Sequence, residues 1–254
     1  MNKRKIIWTD MMKRYMVKLA IRVGVFLTVL VCYFVQYEYL NELMADSLRS
    51  KEVTLLHILW LMFMVMMILH IFPTEKLTMA LRKSEKKQFV EVPGYSELEL
   101  HRFVRDQNIK AWWVMLVWLS FNALWGLLYC FHIIGEVELL MLTVFYFLCD
   151  YICILFYCPF QSVGMKNRCC VNCRIYDWGH FMMFTPMLFI RNFFSWSLFF
   201  TSLVVLIRWE LVYAKYPERF WSGSNQTLQC ANCKDKTCQV KRRLAHKPLK
   251  KEVV

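Results

Sequence analysis

The chain has 254 residues, of which 58% are hydrophobic, with 11 cysteines and a formal net charge of +13. This length suits one domain or a compact bundle. The apolar residues fall in long blocks rather than at the helical or strand spacing of a soluble core, which argues against a soluble globular fold.

The first block must be separated from a signal peptide. Lys3, Arg4 and Lys5 precede the apolar stretch from Val23 to Tyr37, but the residues after it, Glu38-Tyr39-Leu40-Asn41-Glu42, offer no small-residue cleavage site. The block therefore reads as a retained first span over 17–39, with Lys18 and Arg22 snorkelling to the interface. The second span is 53–72, closed by Pro73; no Lys, Arg, Asp or Glu occurs from Val53 to Thr74. Such a run meets the ~20 residues needed to cross a bilayer core.

A charged segment over 73–110 follows. Pro93-Gly94-Tyr95 reads as a turn, and Ser96 with Glu99 forms a capping box that starts a helix. That helix either lies on the membrane surface or feeds into a third span over 111–134. Gly135 to Glu138 is expected as a tight turn before a fourth span, 139–160. The apolar stretch from Arg174 to Tyr213 is too long for one crossing at ~1.5 Å per residue, and Arg191-Asn192 interrupts it. It is either a surface helix followed by one crossing, or a helical hairpin with spans 174–190 and 193–213.

Charge selects the hairpin. With six spans, the segments 1–22, 73–110, 161–174 and 208–254 share one side and carry 7, 8, 3 and 11 Lys and Arg, 29 of the chain's 32. The far side keeps Arg49, Lys51 and Arg191. Basic residues concentrate on the cytoplasmic flanks of spans, so both termini are expected there, in a cell or inner membrane. This placement also explains the charge without nucleic acid: basic flanks orient the protein and meet anionic lipid headgroups. The expected fold is all-α and polytopic, with a 1–213 bundle and a basic 214–254 tail.

The cysteines suggest chemistry. Cys32, Cys130, Cys149 and Cys153 lie in spans, where a free thiol behaves as a small hydrophobe. The other seven form two clusters: Cys158, Cys169, Cys170 and Cys173, then Cys230, Cys233 and Cys238. Each cluster contains a C-x-x-C, at Cys170/Cys173 and Cys230/Cys233. Two thiolates from one tight turn can chelate an ion, and two such turns complete a tetrahedral four-thiolate site. Both fall on the side where thiols stay reduced. The expected ligands are Cys170, Cys173, Cys230 and Cys233, with Cys158, Cys169 and Cys238 as possible additional ones. Zn²⁺ is favoured over an iron–sulfur cluster, because the closely repeated run of bacterial ferredoxins is missing. Such a site would tie the 158–173 loop to the tail and could dock a protein partner.

Asp150 falls near the middle of span four, where an ionisable group needs a partner. Counting outward from a turn centred between Glu136 and Val137 places Asn122 at the same depth. A hydrogen bond is expected between them, or between Asp150 and a residue of another span at that level. A proton or cation relay through Asp150 is the transport alternative. His57, His70 and His132 near span ends carry no spacing that indicates a metal. No H-E-x-x-H, G-x-S-x-G or phosphate-binding glycine loop occurs. The leading expectation is a non-enzymatic membrane component with a structural metal site.

Overall fold

The computed structural model describes residues 8–46, 55–72, 79–167 and 169–244. It is all-α, and four of its helices are long and apolar enough to cross a membrane. α1, Asp10–Val35, starts where Thr9 accepts a hydrogen bond from the Met12 N–H. It ends at Gln36, and α2, Tyr37–Asp46, continues the path. α3, Leu55–Ile71, is apolar throughout and at 17 residues lies at the short limit for a crossing. Pro73, Arg49 and Lys51 fall outside the described residues. After the short α4, Met79–Arg82, the chain turns through Gly94, whose φ of +73° requires a residue without a Cβ penalty.

α5, Glu97–Cys130, begins at the expected Ser96 cap, where the side chain accepts from the Glu99 N–H. Its 34 residues form one unbroken helix, so the capping-box helix feeds directly into span three. The turn that follows occupies 131–135 rather than 135–138. Gly135 caps α6, Glu136–Leu155, and the Glu138 carboxylate accepts from the Gly135 N–H at 2.7 Å. The helix therefore starts three residues earlier than expected, because two carboxylates near its N-terminus favour initiation there.

The stretch expected as span five is no single helix. It consists of a 3₁₀ turn at Tyr176–Trp178, α7 at Gly179–Phe184, and a second 3₁₀ turn at Thr185–Leu188 that holds Pro186. Proline removes a backbone donor and forbids a continuous α-helix here. The stretch is nonetheless buried, with Phe181, Met183, Phe184, Met187 and Ile190 in the core. It runs antiparallel to α8, Phe193–Lys215: Arg174 lies against Glu210, and the Trp196 indole donates to the Leu188 carbonyl. Fourteen residues of α8 separate those levels, or ~21 Å of helix. The Phe189 ring packs so closely on α5 that a Cβ at Gly126 would sit 2.3 Å from it.

Contacts along the helices set their directions. α1 runs antiparallel to α6, as Tyr15 meets Tyr151 and Phe26 meets Phe145. α3 runs parallel to α8, as His57 meets Phe194 and the Arg208 guanidinium donates to the His70 carbonyl. The start of α1 and the ends of α3, α6 and α8 thus share one end of the bundle. That end is capped by irregular chain, in which Val92 N–H donates to Ser224 O and Gln226 N–H donates to Val90 O. The bundle's outer faces are apolar: Val17, Ile21, Leu27 and Val31 on α1 and Trp112, Trp113 and Leu116 on α5 are all more than half exposed. A continuous apolar exterior of this kind fits lipid contact.

Candidate functional site

The two cysteine clusters meet at the capped end. After α6, the chain passes through a π-helical turn at Phe160–Gly164 into the cysteine loop, where Cys170 and Cys173 are buried. The tail returns along the same surface, and its described part closes with α9, Cys238–Leu244. Val171 and Leu228 form a small apolar cluster with Cys169 and Cys233 packed against it. Cys158 and Cys238 are each near enough to Cys170 for their charges to act on it, and Cys173 is similarly near Cys170 and Cys158. Cys169 is likewise near both Cys170 and Cys233, so the neighbours join into one patch rather than a simple pairing of the two C-x-x-C turns. Cys230 is exposed. Among the described residues, no three His, Cys, Asp or Glu side chains converge closely enough to hold a metal ion.

Two lysines serve this region. The Lys241 ammonium donates to Cys170 Sγ at 2.9 Å and to Gln161 Oε1 at 2.8 Å. Burial raises the Cys170 thiol pKa, and Lys241 opposes that. The Gln161 N–H donates to Cys158 Sγ, and a hydrogen bond from the Cys153 thiol holds Cys158 below the ordinary thiol range. Cys173 is pushed up to about 12 by burial, with Lys83 pulling the other way. Among Cys158, Cys170 and Cys173, Cys158 is therefore the thiol that ionises most readily, and a thiolate is what binds a metal or attacks an electrophile.

Lys83 is almost wholly buried and donates to the carbonyls of Val171 and Cys173 at 2.8 and 2.7 Å. Burial pushes its pKa down to about 8, and the nearby cysteines partly oppose the shift. It clips the cysteine turn to the bundle. Lys83→Met removes both donors and strands two buried carbonyls, so thermal unfolding of the purified protein should show about 2–3 kcal/mol of destabilisation. An unchanged transition would show that the turn holds without Lys83.

Further into the bundle, Asp150 pairs at 2.8 Å with Arg22 of α1, a residue of another span as the second expectation had it, and not with Asn122. Arg22 does not snorkel. It is buried, donates also to the Phe147 carbonyl, and lies over the Phe147 and Tyr151 rings at 4.0 and 3.8 Å. Asn122 instead accepts from the Tyr146 hydroxyl at 3.4 Å. The earlier turn moves the point of equal depth towards the start of α6, and the partner of Asn122 lies four residues before Asp150, at Tyr146. Beside this pair, His70 Nδ1 lies 2.9 Å from Asp177 Oδ1, and the His180 ring stacks edge-on against His70. Engaged by Arg22, the Asp150 carboxylate reads as a clasp between helices.

Sequence reasoning missed Arg22, Lys83 and His180. For Arg22 a signal existed: a cation and a carboxylate, each deep in a different apolar block, should pair. For Lys83 there was none, since one lysine in a charged loop looks like any other. No family model, no curated protein and no solved structure matches the chain.

Proposed function

We propose that this is a membrane component that crosses six times with both ends on the cytoplasmic face. The cysteine loop and the tail there form one thiol centre that binds a structural metal ion, zinc in preference to an iron–sulfur cluster. The observation that carries this reading is the meeting of cysteines from segments about 60 residues apart: Cys169 and Cys233 pack against one apolar cluster, and Cys170 lies within electrostatic reach of Cys238. The candidate ligands are Cys158, Cys169, Cys170, Cys173, Cys230, Cys233 and Cys238, whose side chains would have to move to close a set. The Lys241 ammonium among Cys170 and Gln161 supports the reading, because it shows that this sulfur and oxygen environment accommodates a cation. Binding would clamp the ends of α6 and α8 together and present a rigid surface to a partner protein. The basic residues on that face meet anionic headgroups.

The test is elemental analysis of anaerobically purified protein. About one zinc per chain is expected, lost in Cys170→Ser and in at least one of Cys233→Ser and Cys238→Ser. Iron with broad visible absorbance would replace zinc by a cluster. Absence of both metals, or full zinc in all three variants, rules out a shared centre.

A further inference from the structure

Two cavities adjoin at α6 and the α7 segment, the first walled also by α5 and the second by α1 and α3, and they differ in character. The first, about 400 Å³, is almost entirely apolar, with Trp118, Phe121, Phe145 and Met182 among its walls. The second, about 170 Å³, is lined by Arg14, Lys18, Arg22, His70 and His180. They share the walls formed by Asp150, Ile154, Tyr176 and Gly179.

The polar cavity carries surplus positive charge. Arg14, Lys18 and Arg22 recur every four residues, which places them on one face of α1. Arg14 and Lys18 are exposed at the mouth, whereas Arg22 is buried deeper. The two carboxylates on the walls are already engaged, Asp150 by Arg22 and Asp177 by His70. Among the described residues, neither Arg14 nor Lys18 has a carboxylate within ion-pair distance. His180 Nδ1 is fully buried on the wall and has no hydrogen-bond partner in the chain. Buried polar atoms normally find one. A cationic mouth next to an unfilled apolar cleft matches one kind of molecule, an anion carrying a hydrocarbon chain.

We propose that the chain binds one anionic phospholipid, with its phosphate between Arg14 and Lys18 and an acyl chain in the adjoining cleft. Charge-assisted hydrogen bonds from Arg14 and Lys18 select the phosphate. The cleft walls supply apolar contact, and Tyr176 lies where the two environments join. The headgroup site uses none of the cysteines, whereas the cleft is also lined by Cys158, Cys170 and Cys173 of the thiol centre.

To test this, the full-length protein is equilibrated in mixed micelles with equal amounts of dioleoyl phosphatidic acid and dioleoyl phosphatidylcholine, and bound lipid is counted by native mass spectrometry. Retention of phosphatidic acid is expected at about one per chain, favoured about tenfold over phosphatidylcholine. Arg14→Gln with Lys18→Gln should abolish that preference. Arg14→Lys with Lys18→Arg should keep it, and so should Lys110→Gln on α5. Equal retention of the two lipids, or a preference that survives the double Gln variant, overturns the proposal. So does an equal loss on Lys110→Gln, which would mean diffuse charge attraction. Inorganic phosphate that displaces the lipid as well as free phosphatidic acid does would indicate a phosphate site with no role for the cleft, and overturns it too. Should the double Gln variant fail to fold, the wild-type chain decides. Brominated phosphatidic acid must quench tryptophan fluorescence more than brominated phosphatidylcholine does, with the excess lost in Trp118→Phe. No excess quenching refutes the site.

Discussion

Asp150→Leu should destabilise the protein by about 3–5 kcal/mol, because it leaves the Arg22 guanidinium buried without its counter-charge. Arg22 is 7% exposed and keeps only the Phe147 carbonyl and two ring faces. A guanidinium cannot shed its proton to escape. The reverse change, Arg22→Leu, is expected to cost less. The Asp150 side chain is about one-third exposed and borders a cavity, so its carboxylate can meet water. The double variant, Arg22→Leu with Asp150→Leu, should recover most of the loss, since an apolar pair satisfies the same space without desolvated charge. Equilibrium unfolding in detergent, followed by far-ultraviolet circular dichroism, gives all three values. Equal losses for the two single variants, or a double variant as unstable as Asp150→Leu, would show that the pair is not the clasp between α1 and α6.

The second large effect is expected at Glu210. Its carboxylate accepts both terminal nitrogens of Arg174 and also the Trp178 indole N–H at 2.7 Å. Arg174 reaches Asn108 on α5 and lies 3.8 Å over the Tyr213 ring, while its carbonyl accepts from the Trp209 indole. This junction pins the start of the α7 segment to α5 and α8. Glu210→Leu strands a buried guanidinium and an indole donor, for an expected loss of about 3 kcal/mol. Arg174→Lys should also destabilise, because an ammonium cannot reproduce the bidentate fork. Arg174 directly follows Cys173, so Glu210→Leu should also reduce bound zinc if the cysteine centre holds it. A Glu210→Leu protein that unfolds like the wild type would remove this junction from the account.

Hydropathy is a local property, and it made the helices legible. The long apolar runs, the Ser96 cap and the break at Arg191-Asn192 each follow from residues adjacent in the chain, and each is present in the structure. The nearness of the two cysteine clusters was also legible, because charge placed both segments at the same end. The failures lie where an answer depends on a distant neighbour. Pro186 and the polar residues around Asp177 mark 174–190 as a poor helix. That it still packs through the bundle is decided by the aromatic core that covers it.

By itself, the sequence determined which segments are apolar enough to leave water and that a cap at Ser96 starts α5. Those outcomes depend on side-chain transfer energies and backbone capping, which need no knowledge of the partner. Only the tertiary structure decided that α1 lies against α6, so that Arg22 meets Asp150, and that Lys83 and Lys241 reach the cysteine loop. Apolar helices pack in many rotations of nearly equal energy. The one adopted is set by how the buried charges and ring faces of several helices satisfy each other at once.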